Sequence, residues 1–281
     1  MREKSRVASL ARRPDMAGTV RRLLRLILVM VLLVGASQGT TLAAPDSWDY
    51  VALGDSLTTG FGAFKGYVPR YEAYVETDTG VAVTRTNLGQ NKWTSSQLLS
   101  ALRNDPTFRR ATREAEIVTW NIGGNDLRAA RNSYKNGTCG GPKNQACLRA
   151  SVAKLETNLD AITAEVLELR STRNTIVRTM NIYNPYVRTD IVSDTWRQND
   201  GGKNDFEVFK IYFDEVNSHI ATTSYTTGVP YAEVYLAFNE PTGDEDPKSK
   251  GYLSFDGVHP NDTGYRIISD ELRKLGYAPL R

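Results

Sequence analysis

From residue 50 onward, the sequence alternates between short apolar segments and longer amphipathic segments. Short apolar segments bounded by turn residues are typical of buried parallel strands, and the amphipathic segments between them predict helices. This alternation predicts an α/β fold, a single-domain three-layer α/β/α sandwich with a mainly parallel sheet covered on both faces. The predicted strands cover residues 50–53, 81–88, 117–120, 175–183 and 231–236, and the predicted helices cover residues 67–75, 94–102, 148–169, 206–220 and 262–275.

The longest predicted helix, residues 148–169, carries apolar side chains at alternating spacings of four and three residues. This spacing also fits a coiled coil. Inside a strand–helix alternation, we interpret it as one face of a helix that packs on the sheet.

Glycine-containing polar turns follow three of the predicted strands. Gly54 and Ser56 follow the first strand, Gly89 follows the second, and residues 123–126 (Gly-Gly-Asn-Asp) follow the third. Functional loops of such folds lie at the carboxyl ends of the strands, which meet at one edge of the sheet. We therefore expect these turns to share a site.

The composition of the 281 residues, with 40% hydrophobic and 24% charged residues, excludes a disordered, collagen-like or disulfide-dense chain. Eight of the 35 basic residues but only two of the 32 acidic residues lie in residues 1–44. Residues 45–281 therefore contain 27 basic and 30 acidic residues, a net charge of −3. A slightly acidic body argues against nucleic acid as a partner. Two histidines and two cysteines leave little room for a metal site, and we predict no metal and no cofactor.

Residues 1–44 have the three parts of a secretory signal peptide: arginines at 21, 22 and 25, the apolar run 26–34, and a small-residue exit that ends at Ala44. The apolar run is short for a membrane span, which takes about 20 residues. We predict cleavage near Ala44, a secreted domain over residues 45–281, and no stable membrane insertion after cleavage. An uncleaved anchor is the alternative, and Met16 would give a leader of more usual length.

Cys139 and Cys147 lie in a segment rich in glycine, proline and asparagine. In an oxidising compartment, two nearby cysteines in a loop predict a disulfide. A redox pair is the alternative, but it favours a closer Cys-x-x-Cys spacing.

Ser56 and His259 are the residues with catalytic potential. Ser56 follows a buried strand at a glycine turn, where a serine is exposed as a nucleophile or caps a helix. Asp256 precedes His259 by three residues in a turn, so that its carboxylate can hold the Nδ1–H group of His259 or form an Asx turn. The other histidine, His219, lies in a predicted helix and is interpreted as a half-buried helical residue.

Four blocks in order resemble the signature blocks of the SGNH hydrolases, also called the GDSL family of lipases and esterases. The blocks are Gly54-Asp55-Ser56-Leu57, Asn87-Leu88-Gly89, Gly123-x-Asn125-Asp126 and Asp256-x-x-His259. Together they extend the resemblance over residues 49–275, and they imply an SGNH, flavodoxin-like form of the predicted fold.

The resemblance implies a role for each matching residue. Ser56 would be the nucleophile, His259 the general base and acid, and Asp256 the carboxylate that orients His259. The oxyanion hole would consist of the backbone N–H groups of Ser56 and Gly89 and the side chain of Asn125. Asp55 and Asp126 also match the pattern, and we interpret both as hydrogen-bonding residues that shape their turns.

The sequence therefore predicts a secreted serine esterase or lipase that acts on a small ester or lipid substrate. The alternatives are a carbohydrate acetylesterase or phospholipase of the same fold, a binding module without turnover, and a nucleotide-binding protein, although no phosphate-binding loop is present. We expect residues 127–146, which follow Asn125, to form a loop that lines the substrate pocket. The oligomeric state is not readable from the sequence.

Overall fold

The computed structural model describes residues 47–195 and 202–280, so the predicted leader lies outside the described residues. Within these residues, five parallel strands form a sheet in the order β2-β1-β3-β4-β5, with helices on both faces. The predicted fold class is confirmed. The strands are β1 (Ser47–Gly54), β2 (Ala82–Asn87), β3 (Ile117–Asn121), β4 (Ile176–Met180) and β5 (Tyr231–Ala232).

Ten α-helices connect and flank these strands among the described residues. They are α1 (Ser56–Thr59), α2 (Tyr67–Thr79), α3 (Ser95–Asn104), α4 (Pro106–Glu114), α5 (Gly124–Lys135), α6 (Ala146–Leu169), α7 (Val187–Ile191), α8 (Asp205–Thr227), α9 (Val234–Asn239) and α10 (Asp262–Lys274).

The strand order places a crevice between β1 and β3. The chain runs from β1 to the neighbouring β2 on one side and then returns to β3 on the other side. At such a reversal, the loops that follow the two strands diverge and leave a crevice at the carboxyl edge of the sheet. The turns after β1 and β3 are two of the turns that the sequence predicts to share a site.

The sheet separates two apolar cores because alternate side chains of a strand point to opposite faces. In β1, Val51 and Leu53 belong to the core formed with α3, α5, α6 and α8, whereas Tyr50 and Ala52 belong to the core formed with α2, α9 and α10. The predicted stripe of α6 is buried in the first core. This position confirms a helix that packs on the sheet.

Two predicted segments have the wrong type of structure, whereas other elements, such as β4 and α8, differ from their predictions only in their bounds. Residues 231–236 do not form one strand, because β5 ends at Ala232 after pairing with the last residues of β4, and α9 begins at Val234. The buried side chains of Val234 and Phe238, four residues apart, instead face the second core from a helix.

Residues 127–146 are not one loop either. Their first part continues α5, whose buried residues Leu127, Ala130 and Tyr134 recur at helical spacing. The remaining turn is closed by a disulfide between Cys139 and Cys147, as predicted.

Candidate active site

Ser56 is the first residue of α1, directly after the sharp turn that ends β1. Gly54 adopts φ 141°, and a Cβ atom there would lie 2.3 Å from the carbonyl oxygen of Asn121, so only glycine fits. Asp55 caps α1 by accepting the N–H of Leu57 over 2.9 Å. The turn holds Ser56 at the carboxyl edge of the sheet, where the residue is 6% exposed.

His259 reaches Ser56 from a turn close to the C-terminal end of the chain. The backbone N–H of Ser254 donates to the carbonyl of His259 over 2.8 Å, which closes the turn before α10. Within this turn, Nδ1 of His259 lies 2.5 Å from Oδ2 of Asp256, and Nε2 lies 2.8 Å from Oγ of Ser56. The structure thus aligns Asp256, His259 and Ser56 in one hydrogen-bonded series.

Asp256 is held as a carboxylate. Its Oδ1 accepts the backbone N–H groups of Val258 and His259, each over 2.9 Å. Partial burial raises the pKa of this carboxyl group, but the hydrogen bonds from His259 and Val258 outweigh that effect and lower the pKa to about 2. The carboxylate is therefore ionised at neutral pH and fixes the orientation of the imidazole.

Asp55 has the opposite electrostatic environment. Burial raises its pKa to about 6, although Leu57 and Nδ2 of Asn121, 3.0 Å away, donate hydrogen bonds to the carboxyl group. The pKa of Asp126 is raised as well. Burial raises it, although the carboxyl group accepts hydrogen bonds from the N–H and hydroxyl groups of Ser95. Both carboxyl groups tie neighbouring turns together.

The other two predicted donors, Asn125 and Gly89, follow β3 and β2. Nδ2 of Asn125 donates to the carbonyl of Trp93 over 2.9 Å, and its second hydrogen is available because a carboxamide carries two. The N–H of Gly89 donates to Oδ1 of Asn87 over 2.9 Å. A Cβ atom at Gly89 would lie 2.7 Å from Cβ of Thr58, so the turn after β2 packs directly on α1.

A cavity of about 60 Å³ opens beside Ser56 and His259. Asn125 lies in its wall, whereas Gly89 does not. Its other walls are mainly apolar and come from the ends of β3 and β4 and from α5. They include Ile122, Arg128, Met180, Ile182, Tyr183 and Tyr186.

This arrangement can carry out acyl transfer, because a serine hydroxyl, an imidazole and an ionised carboxylate stand in series beside a cavity. Residues 52–267 match the model of the GDSL-like lipase/acylhydrolase family. The chain belongs to this family. The predicted resemblance is thereby confirmed, and the chain is an ester hydrolase.

Relatives of this GDSL hydrolase agree with the assignment. The spore germination lipase LipC of Bacillus licheniformis is 27% identical over 236 residues, which are 82% of this chain and 97% of the relative. A lipase from a goat rumen metagenome matches with a TM-score of 0.69 and 25% identity over 84% of this chain and all of its own. An acetylxylan esterase from Geobacillus stearothermophilus shares the fold, with a TM-score of 0.54 and 18% identity over 82% of this chain and 94% of its own.

Several features of this GDSL hydrolase's site were missed from the sequence. Of the expected wall, residues 127–146, Arg128 lines the cavity from α5. The disulfide-closed turn, residues 139–147, does not line it, so the expectation is wrong for that part. The segment after β4, with Tyr183 and Tyr186, was also missed. Its position after a strand was the available signal, because β4 ends at the same edge as β1 and β3.

His219 lies apart from the site. It is on α8, and its Nε2 lies 2.9 Å from Oδ1 of Asp160. The interpretation as a partly buried helical histidine therefore agrees with its position.

Among residues 47–195 and 202–280, no cluster of histidine, cysteine and acidic side chains could hold a metal ion. No helix in the same residues is long and apolar enough to cross a membrane.

Proposed function

We propose that the chain is a secreted serine esterase that hydrolyses small carboxylic esters through an acyl-enzyme on Ser56. The observation that carries this proposal is the hydrogen-bonded series from Asp256 through His259 to Ser56, with distances of 2.5 Å and 2.8 Å, at a cavity. Membership of a lipase and acylhydrolase family supports the same reaction.

In the first half of the reaction, Nε2 of His259 accepts the proton of Ser56 while Oγ forms a bond to the carbonyl carbon of the ester. The ionised Asp256 stabilises the resulting imidazolium. The imidazolium then donates its proton to the leaving alcohol as the carbon–oxygen bond breaks. In the second half, His259 takes a proton from water as the water oxygen bonds to the acyl carbon. The proton then passes to Oγ of Ser56 as the bond between Oγ and the acyl carbon breaks, which releases the acid and restores the serine.

The developing oxyanion would be stabilised by the N–H groups of Ser56 and Gly89 and by Nδ2 of Asn125. Such fixed donors are worth about 3 kcal/mol each in the transition state. The free hydrogen of Asn125 supports this role. The N–H of Gly89 would share its hydrogen with the oxyanion and Asn87, or exchange one acceptor for the other.

The size of the cavity favours a short acyl group. The cavity beside Ser56 is small, about 60 Å³, so a short acyl group fills it and a long one would extend beyond it. This observation supports short-chain ester hydrolysis over long-chain lipolysis. A carbohydrate acetylesterase would also use a short acyl group and remains the alternative.

Secretion is part of the proposal. The leader pattern in residues 1–44 supports it, and so does the disulfide between Cys139 and Cys147, because disulfides persist in oxidising compartments. N-terminal sequencing of the protein from culture medium should give a first residue close to Pro45. Retention of residues 1–44 on the secreted protein would contradict cleavage.

The reaction is tested with p-nitrophenyl esters from acetate to palmitate and with the Ser56→Ala variant. Wild-type turnover should be highest at short acyl groups, and Ser56→Ala should lose about 10⁴-fold or more in kcat. Ser100→Ala, an exposed serine on α3, is the matched control and should retain wild-type turnover. Near-wild-type turnover by Ser56→Ala would overturn the proposal.

A further inference from the structure

Two exposed phenylalanines stand next to the catalytic series on the surface. Phe61 is 42% exposed and Phe255 is 88% exposed, and their ring centroids are 6.5 Å apart. Single exposed apolar side chains are ordinary on a protein surface. A pair of adjacent rings beside a reactive site is a feature that points to a bound apolar group. We call Phe61 and Phe255 the aromatic ledge.

The ring of Phe61 and the turn that carries Phe255 lie close to the reacting groups. The ring of Phe61 contacts the imidazole of His259, with centroids 4.7 Å apart and an angle of 64° between the planes. The backbone N–H of Phe61 donates to the carbonyl of Ser56 over 3.1 Å, and its carbonyl accepts the hydroxyl of Tyr265 over 2.8 Å. Phe255 directly precedes Asp256 in the turn that carries His259.

The cavity and the aromatic ledge are two separate surfaces near Ser56, and each can bind one of the two arms of an ester. Neither phenylalanine lines the cavity, which extends from Ser56 towards Asn125 and the end of β4. The chemistry assigns the arms, because His259 must donate a proton to the leaving oxygen. The leaving oxygen therefore lies within reach of the imidazole that Phe61 contacts, which places the alcohol arm next to the aromatic ledge and leaves the cavity for the acyl arm.

We infer that Phe61 and Phe255 bind the alcohol arm of the substrate, so that the enzyme selects esters of a short acid with a long apolar alcohol. This inference rests on the proposed serine esterase mechanism and adds the direction in which the ester binds. The rings are inclined to each other by 54°, which gives no common plane for a sugar face. An apolar chain, in contrast, fits against two inclined rings.

Octyl acetate and ethyl octanoate test this direction because they are isomers with the two arms exchanged. Both are assayed below their solubility limits by titration of the released acid. Octyl acetate places the long chain on the aromatic ledge, whereas ethyl octanoate must place it in the cavity. Partial burial of the octyl chain is expected to raise kcat/KM for octyl acetate about tenfold above the isomer.

The Phe255→Ala variant should lose most of this preference, measured as the ratio of kcat/KM for octyl acetate to kcat/KM for ethyl octanoate. Phe61→Ala/Phe255→Ala should lose the preference completely. Phe64→Ala is the matched control, since Phe64 is fully exposed in the same loop as Phe61 and takes part in no ring contact of the described residues. It should keep the wild-type ratio.

Each outcome separates this inference from the proposed mechanism. If the wild type hydrolyses ethyl acetate but prefers ethyl octanoate or does not distinguish the isomers, the inference is wrong and the mechanism stands. A preference for octyl acetate that Phe255→Ala and the double variant retain also overturns the inference. If the wild type hydrolyses none of these esters, the proposed function itself fails.

Discussion

The side chain of Asn87 accepts the backbone N–H of Gly89 over 2.9 Å and donates from Nδ2 to the carbonyl of Thr58 over 2.7 Å. One carboxamide therefore joins the turn after β2 to α1, the helix that begins with Ser56. Its hydrogen bonds set the position of the Gly89 N–H relative to the nucleophile. Asn87 is thus a positioning residue for one of the proposed oxyanion donors.

Replacing Asn87 with alanine is expected to lower kcat about tenfold, with a smaller change in KM, because a misplaced donor weakens binding of the transition state more than that of the ester. Steady-state kinetics on p-nitrophenyl acetate measure both constants. Asn104→Ala, at the exposed end of α3, is the matched control. An unchanged kcat would show that the N–H of Gly89 does not depend on Asn87.

Asn125→Ala is expected to lower kcat about 10²–10³-fold, since it removes a side-chain donor that no other group replaces. The hydrogen bond to the carbonyl of Trp93 is lost as well, so thermal unfolding of the variant should be measured beside the kinetics. A higher KM with an unchanged kcat would assign Asn125 to substrate binding and contradict its place in the oxyanion hole.

Asp55 is expected to make stability depend on pH. Its folded-state pKa of about 6 lies above the ordinary 3.8, so between about pH 4 and 6 the folded protein binds more protons than the unfolded chain. Protonation of Asp55 therefore contributes to the free energy of unfolding. This contribution is fully present below pH 4 and is lost as pH rises through 6. Its size is on the order of 3 kcal/mol.

Urea denaturation of the wild type and of Asp55→Asn between pH 4 and pH 8 measures this contribution. The amide keeps the acceptor oxygen but does not ionise, so the variant should gain stability relative to the wild type as pH rises. Asp256 has the opposite sign, because its lowered pKa adds stability above pH 4 that is lost as pH falls towards 2. A difference between wild type and variant that is constant with pH would contradict the prediction for Asp55.

Replacing both Cys139 and Cys147 with alanine is expected to lower the free energy of unfolding by about 2–3 kcal/mol, the chain-entropy value for so short a ring. Catalysis should change less than twofold on any acyl length, because the turn that they close does not line the cavity. Denaturation and the p-nitrophenyl series test the two parts separately. A changed acyl preference would show that the turn reaches the substrate after all.

The fold was predictable where the apolar pattern was long or buried. The buried apolar side chains of β1, β3 and α6 are consecutive or regularly spaced. The sequence therefore predicts the bounds of these elements to within a few residues. α4 was missed because only Phe108 and Thr112 are buried among its nine residues, which include three arginines. α9 was misassigned because the short, mostly apolar segment 231–236 fits a strand and a helix equally well.

The candidate site was predictable where its residues follow strands or match the blocks of the family, as Asp256 and His259 do, and not where its walls depend on packing between distant segments. Ser56 and Asn125 follow β1 and β3, and the sheet order brings them together. The aromatic ledge combines a residue after α1 with one in the turn before α10, and the cavity needs the segment after β4. A single sequence gives the residues of these segments but not the distances between them.

The contact between Ser56 and His259 spans 203 positions of the chain, and α10, which follows His259, packs against α2, which follows Ser56. In the proposed mechanism, a nascent chain that still lacks its last residues has therefore not brought Ser56 and His259 together. By this mechanism, ester cleavage requires α10 to pack against α2 after the segment that carries His259 has been made. For the same reason, colour release from a p-nitrophenyl ester reports completed folding, and refolding can be timed by catalysis alone.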